Sequence, residues 1–260
     1  MFSTTRPGAP NWIDLGVPDV EAAAAFYRRV FGWELRSAGP EAGGYGFFVS
    51  GGEVVGAIGP LTEEGASPSW TVYFHTADAD TTAQAVANAG GTVRMAPDDV
   101  FDQGRLAAFT DPTGADFGVW QPKANQGLQL VGADNALCWT ELYTPDAEKS
   151  VEFYRAVFGW QTQNAPIPGV SYTVISAAGA EPGAEQGGIM QLPEENLAAG
   201  SGPEWHPYFA VADCDAALAA ATDNGATVLI PAESAPGVGR LAMFLDPFGA
   251  QLALLTPDPS

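Results

Sequence analysis

Positive charge is scarce in this sequence. It carries 10 Lys and Arg against 31 Asp and Glu, a formal net charge of −21. Such a surface repels a polyanion, which argues against nucleic acid as a partner. Long apolar runs are missing too. No stretch of about 18 consecutive apolar residues is present, so no membrane-spanning helix is expected. The opening "MFSTTRPGAPNW" has neither a basic start nor an apolar stretch and does not read as a secretory signal. Cysteine is nearly absent. Cys138 and Cys214 lie in separate segments without metal-ligand spacing, so free thiols in a reducing cytoplasm are the expectation. No phosphate loop, dinucleotide fingerprint or nucleophile elbow is found.

What is present is a globular composition: 46% apolar residues over 260, with 31 Gly and 21 Pro that imply many turns and short strands. The chain also repeats itself. "FYRRVFGW" at 26–33 returns as "FYRAVFGW" at 153–160. "WTVYFHTADADTTAQAVANAGGTV" (70–93) lies over "WHPYFAVADCDAALAAATDNGATV" (205–228), and "GRLAAFTDPTGADFGVW" (104–120) over "GRLAMFLDPFGAQLALL" (239–255). The first match has an offset of 127 and the later ones 135, so the second copy gains eight residues in its middle. "GAEPGAEQG" lies there and reads as a longer loop. The chain is two copies of one unit.

Each copy shows the same internal order. "NWIDLGV" alternates as a strand does. "PDVEAAAAFYRRVFGW" reads as a helix with Asp19 as N-cap and Gly32 as its left-handed stop, roles repeated by Asp146 and Gly159. Strands follow, then the pattern restarts: strand, second helix, and a hairpin around Asp111-Pro112-Thr113-Gly114 or Asp246-Pro247-Phe248-Gly249. Each copy therefore holds two βαβββ modules. Phe26, Val30, Phe31 and Trp33, with Phe153, Val157, Phe158 and Trp160, are expected to pack the helix onto the sheet.

That order of motifs, found twice, resembles the glyoxalase/bleomycin-resistance/extradiol-dioxygenase (vicinal oxygen chelate) superfamily. The tandem arrangement is similar to two-domain members related to a mycobacterial antigen, some of which carry a provisional hydroxylase label. The resemblance implies an α+β fold of four βαβββ modules. They would form two glyoxalase-like domains with cup-shaped sheets, at 8–122 and 136–257, joined by a linker at 123–135. The modules would pair either within a copy or first with fourth and second with third.

The resemblance also implies a divalent metal held by His and Glu on strands facing the cup. Its ligand positions fall on Trp12 and Trp139, on Thr71 and His206, and on Gly118 and Ala253. Of these only His206 can ligate, and an open catalytic site needs about three protein ligands. No cofactor is therefore expected. The alternative is a divalent metal at a displaced site, since Asp14 and Glu141 lie two residues past Trp12 and Trp139 and share their strand face.

Two readings of function follow. In the first the protein binds a planar organic molecule without metal, in cups lined by Trp12, Trp139, Thr71, Tyr73, Tyr208 and Trp120. In the second it is a hydroxylase, dioxygenase or lyase that uses Glu141, His206 or Asp14 as base or displaced ligand. Arg105 and Arg240, both in "GRL", could bind a ligand carboxylate bidentately; a surface role is the alternative for them, and packing alone for the strand aromatics. The expected partner is a small organic molecule, and the expected state a monomer or homodimer.

Overall fold

A computed structural model describes residues 2–61, 65–167 and 169–258. The first copy forms β1 (Pro10–Val17), α1 (Val20–Phe31), β2 (Glu34–Ser37), β3 (Gly46–Ser50), β4 (Glu53–Pro60), β5 (Ser69–His75), α2 (Ala79–Asn88), β6 (Thr92–Val100), β7 (Gly104–Thr110) and β8 (Asp116–Pro122). The second forms β9 (Leu137–Thr144), α3 (Ala147–Phe158), β10 (Gln161–Asn164), β11 (Tyr172–Ser176), β12 (Gly187–Gln191), α4 (Glu194–Ala198), β13 (Glu204–Ala210), α5 (Cys214–Asp223), β14 (Thr227–Ala235), β15 (Gly239–Leu245) and β16 (Gln251–Pro257). The strands make two mixed sheets of eight. Their orders are β2-β3-β4-β1-β5-β8-β7-β6 and β10-β11-β12-β9-β13-β16-β15-β14, as four βαβββ modules require. No helix among the described residues is long and apolar enough to cross a membrane.

Local chemistry starts and stops the helices. The carboxylates of Asp19, Asp78, Asp146 and Asp213 each accept a backbone N–H three residues on, at 2.9–3.0 Å. Such a cap is worth about 1 kcal/mol. Gly32 and Gly159 end α1 and α3 at φ 72° and 67°, where a side chain would be strained. The insertion in the second copy is not one loop. In register, Asp14 pairs with Ala57 and Glu141 with Gly188, separations of 43 and 47, so four extra residues precede β12. Thr71 follows Ala57 by 14 residues and His206 follows Gly188 by 18, so the other four lie in the segment that folds as α4.

Two compact units emerge, and each takes chain from both copies. One comprises Met1–Trp12, Thr71–Gly127 and Trp139–His206; the other comprises Ile13–Trp70, Leu128–Cys138 and Pro207–Ser260. The repeated helix motif explains the exchange. In the second unit Tyr27 is fully buried; its hydroxyl donates to Asp246 Oδ2 at 2.9 Å and accepts from Trp70 Nε1 at 3.1 Å. In the first unit Tyr154 donates to Asp111 Oδ2 at 3.1 Å and accepts from Trp205 Nε1 at 2.8 Å. The motif's tryptophans follow suit: Trp33 Nε1 donates to the Asn135 carbonyl at 2.8 Å and Trp160 Nε1 to the Gly8 carbonyl at 2.7 Å. Gly8 and Asn135 both have positive φ, 77° and 60°, which Gly adopts freely and Asn tolerates. Each motif therefore bonds the turn and the strand entry of the other copy.

The aspartates at these junctions serve the turns as well. Asp111 Oδ1 accepts the N–H groups of Thr113, Gly114 and Ala115, and Asp246 Oδ1 those of Phe248 and Ala250. Burial pushes the Asp246 carboxyl above its usual range. Burial first, and the facing aspartate second, hold the Tyr27 and Tyr154 phenols far above theirs. Around these bonds pack Phe31, Trp33, Phe48 and Phe209 in one unit and Phe74, Phe117, Phe158 and Trp160 in the other, ring centroids mostly 5–6 Å apart.

Candidate functional site

The strands that carry the candidate residues place alternate side chains on two faces. On β5, Trp70, Val72 and Phe74 are buried while Thr71, Tyr73 and His75 are half-buried. On β9 the alternation puts Trp139, Glu141 and Tyr143 on one face, and on β13 it puts Glu204 and His206 on one face.

The first compact unit gathers the fullest cluster. Trp139 Nε1 donates to Tyr172 Oη at 3.0 Å, and Tyr172 Oη donates to Glu141 Oε2 at 3.0 Å. Glu141 is buried and Trp139 half-buried. Burial, then the Glu141 carboxylate, keep the Tyr172 phenol protonated well past its ordinary range. The Tyr172 ring can take this position because residue 188 is glycine; a Cβ there would lie 2.0 Å from Tyr172 Oη. Beside Glu141 on its strand, Tyr143 packs its ring on His206, centroids 4.7 Å apart and tilted by 54°. His206 is 2% exposed, and its Nδ1 is buried without a hydrogen-bond partner. Burial lowers its pKa to about 3, so the imidazole is neutral near pH 7. Glu204, two residues before it, has its pKa raised by burial.

The first copy holds a reduced version in the other unit. Tyr45 Oη donates to Asp14 Oδ2 at 3.0 Å. Tyr45 leans over Gly59, where a Cβ would come within 2.7 Å of its ring. Phe47 meets Tyr45 edge-on at 6.1 Å, and the Arg36 guanidinium lies 5.6 Å above the Phe47 ring. Trp12, which falls in the first compact unit, is buried, at 6% exposure.

Of the remaining candidates, Thr71, Tyr73 and Trp120 belong to the same compact unit as Glu141, and Tyr208 to the other. Tyr73 pairs with Gly118, and a Cβ at 118 would lie 2.2 Å from the Tyr73 ring, so that ring covers one of the family's metal-ligand positions. Tyr208 is buried and pairs with Ala253, another such position. Trp120 lies across Gly104 and donates Nε1 to the Asn125 carbonyl at 3.0 Å, a role in fastening the chain after β8. Thr71 is half-buried on the same face as Tyr73. His75 also has a buried, unpartnered Nδ1, and burial lowers its pKa. Arg105 forks onto Asp80 at 3.0 and 3.1 Å, and Arg240 onto Asp215, in the first turns of α2 and α5; both guanidiniums are thus engaged at the surface.

Among the described residues no three His, Cys, Asp or Glu side chains form a group that could hold a metal ion. With tyrosine over Gly118, indoles at positions 12 and 139, and one imidazole at 206, this donor set does not fit the resident ion the fold family implies. Sequence reasoning missed Tyr45, Tyr143, Tyr172 and Glu204. For Tyr45 and Tyr172 a signal existed, since the offset of 127 that relates Asp14 to Glu141 also relates these two tyrosines.

A model of the Glyoxalase/Bleomycin resistance protein/Dioxygenase superfamily matches residues 9–119 and again 136–254. CFP32 of Mycobacterium tuberculosis, whose name assigns it provisionally as a glyoxylase, is 38% identical over 99% of this chain and 98% of its own length. The anthracycline biosynthesis protein DnrV of Streptomyces peucetius is 37% identical over 96% of this chain and 93% of its own. Among solved structures, the 2,3-dioxygenase LapB from Pseudomonas sp. KL28 superposes with a TM-score of 0.65 at 16% identity, covering 98% of this chain and 93% of that one. The Mn(II)-bound glyoxalase from Novosphingobium aromaticivorans superposes with a TM-score of 0.65 at 18% identity, covering 98% and 86%. At these identities the structures speak for the fold.

Proposed function

The chain belongs to the Glyoxalase/Bleomycin resistance protein/Dioxygenase superfamily, and from that premise we propose that it is a metal-independent receptor for a small planar organic molecule. The observation that carries this reading is the replacement of ligand positions by rings: tyrosine stands on Gly118, and Trp139 is tied through Tyr172 to Glu141. Aromatic faces with a few fixed polar groups suit a flat, partly apolar molecule. A relative named for anthracycline biosynthesis supports the same class, because anthracyclines are flat fused-ring compounds. Trp12, Thr71, Tyr73, Tyr208 and Trp120 line the proposed cups with Trp139. Domains at 8–122 and 136–257, a cytoplasmic location and a monomeric or dimeric state belong to the same proposal. Elemental analysis of purified protein tests it: metal far below stoichiometry is expected, and one Zn, Ni, Fe or Mn per chain overturns it.

A second reading is favoured by one specific feature. Glu141 is buried with its carboxylate fixed by the Tyr172 hydroxyl, as a general base is held. In this reading Glu141 abstracts a proton next to a carbonyl, His206 assists, and Asp14 has the equivalent place in the first copy. With any substrate that turns over, Glu141→Gln lowers kcat by about 100-fold or more. Unchanged turnover in both Glu141→Gln and His206→Asn removes the reading.

A further inference from the structure

We propose that the face formed by Trp139, Glu141, Tyr143, Tyr172 and His206 reads a hydroxyl group carried on a flat aromatic ligand, with His206 Nδ1 as the reading atom. The inference rests on the receptor reading above and names its ligand class. Its first support is the orphaned Nδ1 of a side chain that is 98% buried. A buried polar atom without a partner destabilises the fold by about 1–3 kcal/mol, and a ligand group that satisfies it offsets that cost. The atom's position supplies the second support. The His206 ring lies against Tyr143, which shares a strand face with Glu141 and Trp139, so Nδ1 belongs to the cluster that joins the Glu141 carboxylate to aromatic rings.

The chemistry selects the hydroxyl. A neutral imidazole presents either an N–H or a lone pair at Nδ1 according to its tautomer. A hydroxyl both donates and accepts, so it satisfies either form, whereas a methyl group satisfies neither. The two copies are not equivalent in this respect. The position matching His206 in the first copy is Thr71, and the other orphaned imidazole, His75, matches Ala210.

The test uses the whole chain with 2-naphthol and 2-methylnaphthalene, a pair that differs in OH against CH3. Calorimetry should give about tenfold tighter binding for the naphthol, the ratio a single buried hydrogen bond supplies. The chain has only two histidines, so 15N spectra of the imidazoles resolve them without a variant. The His206 Nδ1 resonance should shift with naphthol and stay with methylnaphthalene. His206→Leu should equalise the two affinities, and His206→Gln should restore part of the preference. Equal binding of both probes, or a shift at His75 instead, overturns the hydroxyl inference and leaves the receptor reading standing. Failure of both probes to bind, together with a stoichiometric metal, overturns both.

Discussion

The two copies agree where they pack and part where their strands carry polar groups. In the cores the hydrogen-bonded frame corresponds: Trp70–Tyr27–Asp246 in one unit matches Trp205–Tyr154–Asp111 in the other, and Trp33 to Asn135 matches Trp160 to Gly8. On the polar strand faces the first copy has Asp14 with Tyr45 and Thr71, while the second has Glu141 with Tyr172, Trp139 and His206. Close packing tolerates little change, and each member of a buried hydrogen-bonded triad strands its partners if lost. A strand face beside a ligand is under no such constraint, so a duplicated chain can keep the same hydrogen-bonded frame in both cores and specialise one face.

The largest expected effect comes from cutting the copies apart. Residues 1–127 retain Tyr27 without Asp246 and Asp111 without Tyr154. Because both compact units draw on both copies, this fragment should not fold as a monomer. A cooperative, monomeric unfolding transition by ultracentrifugation and urea denaturation would break the equivalence. Next come Asp111→Ala and Asp246→Ala, each expected to destabilise the full chain by about 3 kcal/mol, since each strands a buried phenol and two or more turn N–H groups. Urea midpoints that differ widely between the two variants would show that the matched cores are unequal in energy.

A smaller effect sharpens the difference between the faces. Gly188→Ala forces Tyr172 off Glu141 and Trp139, at a cost of about 1–2 kcal/mol. The matching residue in the first copy is already alanine, Ala57, and there the tyrosine leans on Gly59 instead. Trp139 fluorescence should change in Gly188→Ala; an unchanged spectrum would mean the indole does not depend on Tyr172. The smallest effect at neutral pH is at His206. Its folded pKa of about 3 lies below the ordinary 6.5, so the unfolded chain takes up the proton first. The stability contribution is present above pH 6.5 and is lost as pH falls toward about 3. His206→Asn should flatten that part of the acid-unfolding curve while leaving stability near pH 7 little changed.

The repeat, the four-module order, the aspartate caps and the Gly32 and Gly159 stops were legible in the letters, because periodicity, capping and left-handed glycines act over a few neighbouring residues. The Tyr45 and Tyr172 contacts were not read, since 31 residues separate each tyrosine from its carboxylate. The inserted eight residues looked like one loop because an offset records only a total; strand register divided them between the approach to β12 and α4.

The sequence by itself determined that this chain is a doubled unit and what its elements are, because both are written in short-range chemistry or in identity between copies. Only the tertiary structure decided that Tyr27 bonds Asp246 across 219 residues, that Gly188 admits the Tyr172 ring, and that His206 Nδ1 is buried with no partner. Those outcomes depend on which surfaces meet once backbone and side chains are packed, and spacing along the chain carries no record of that.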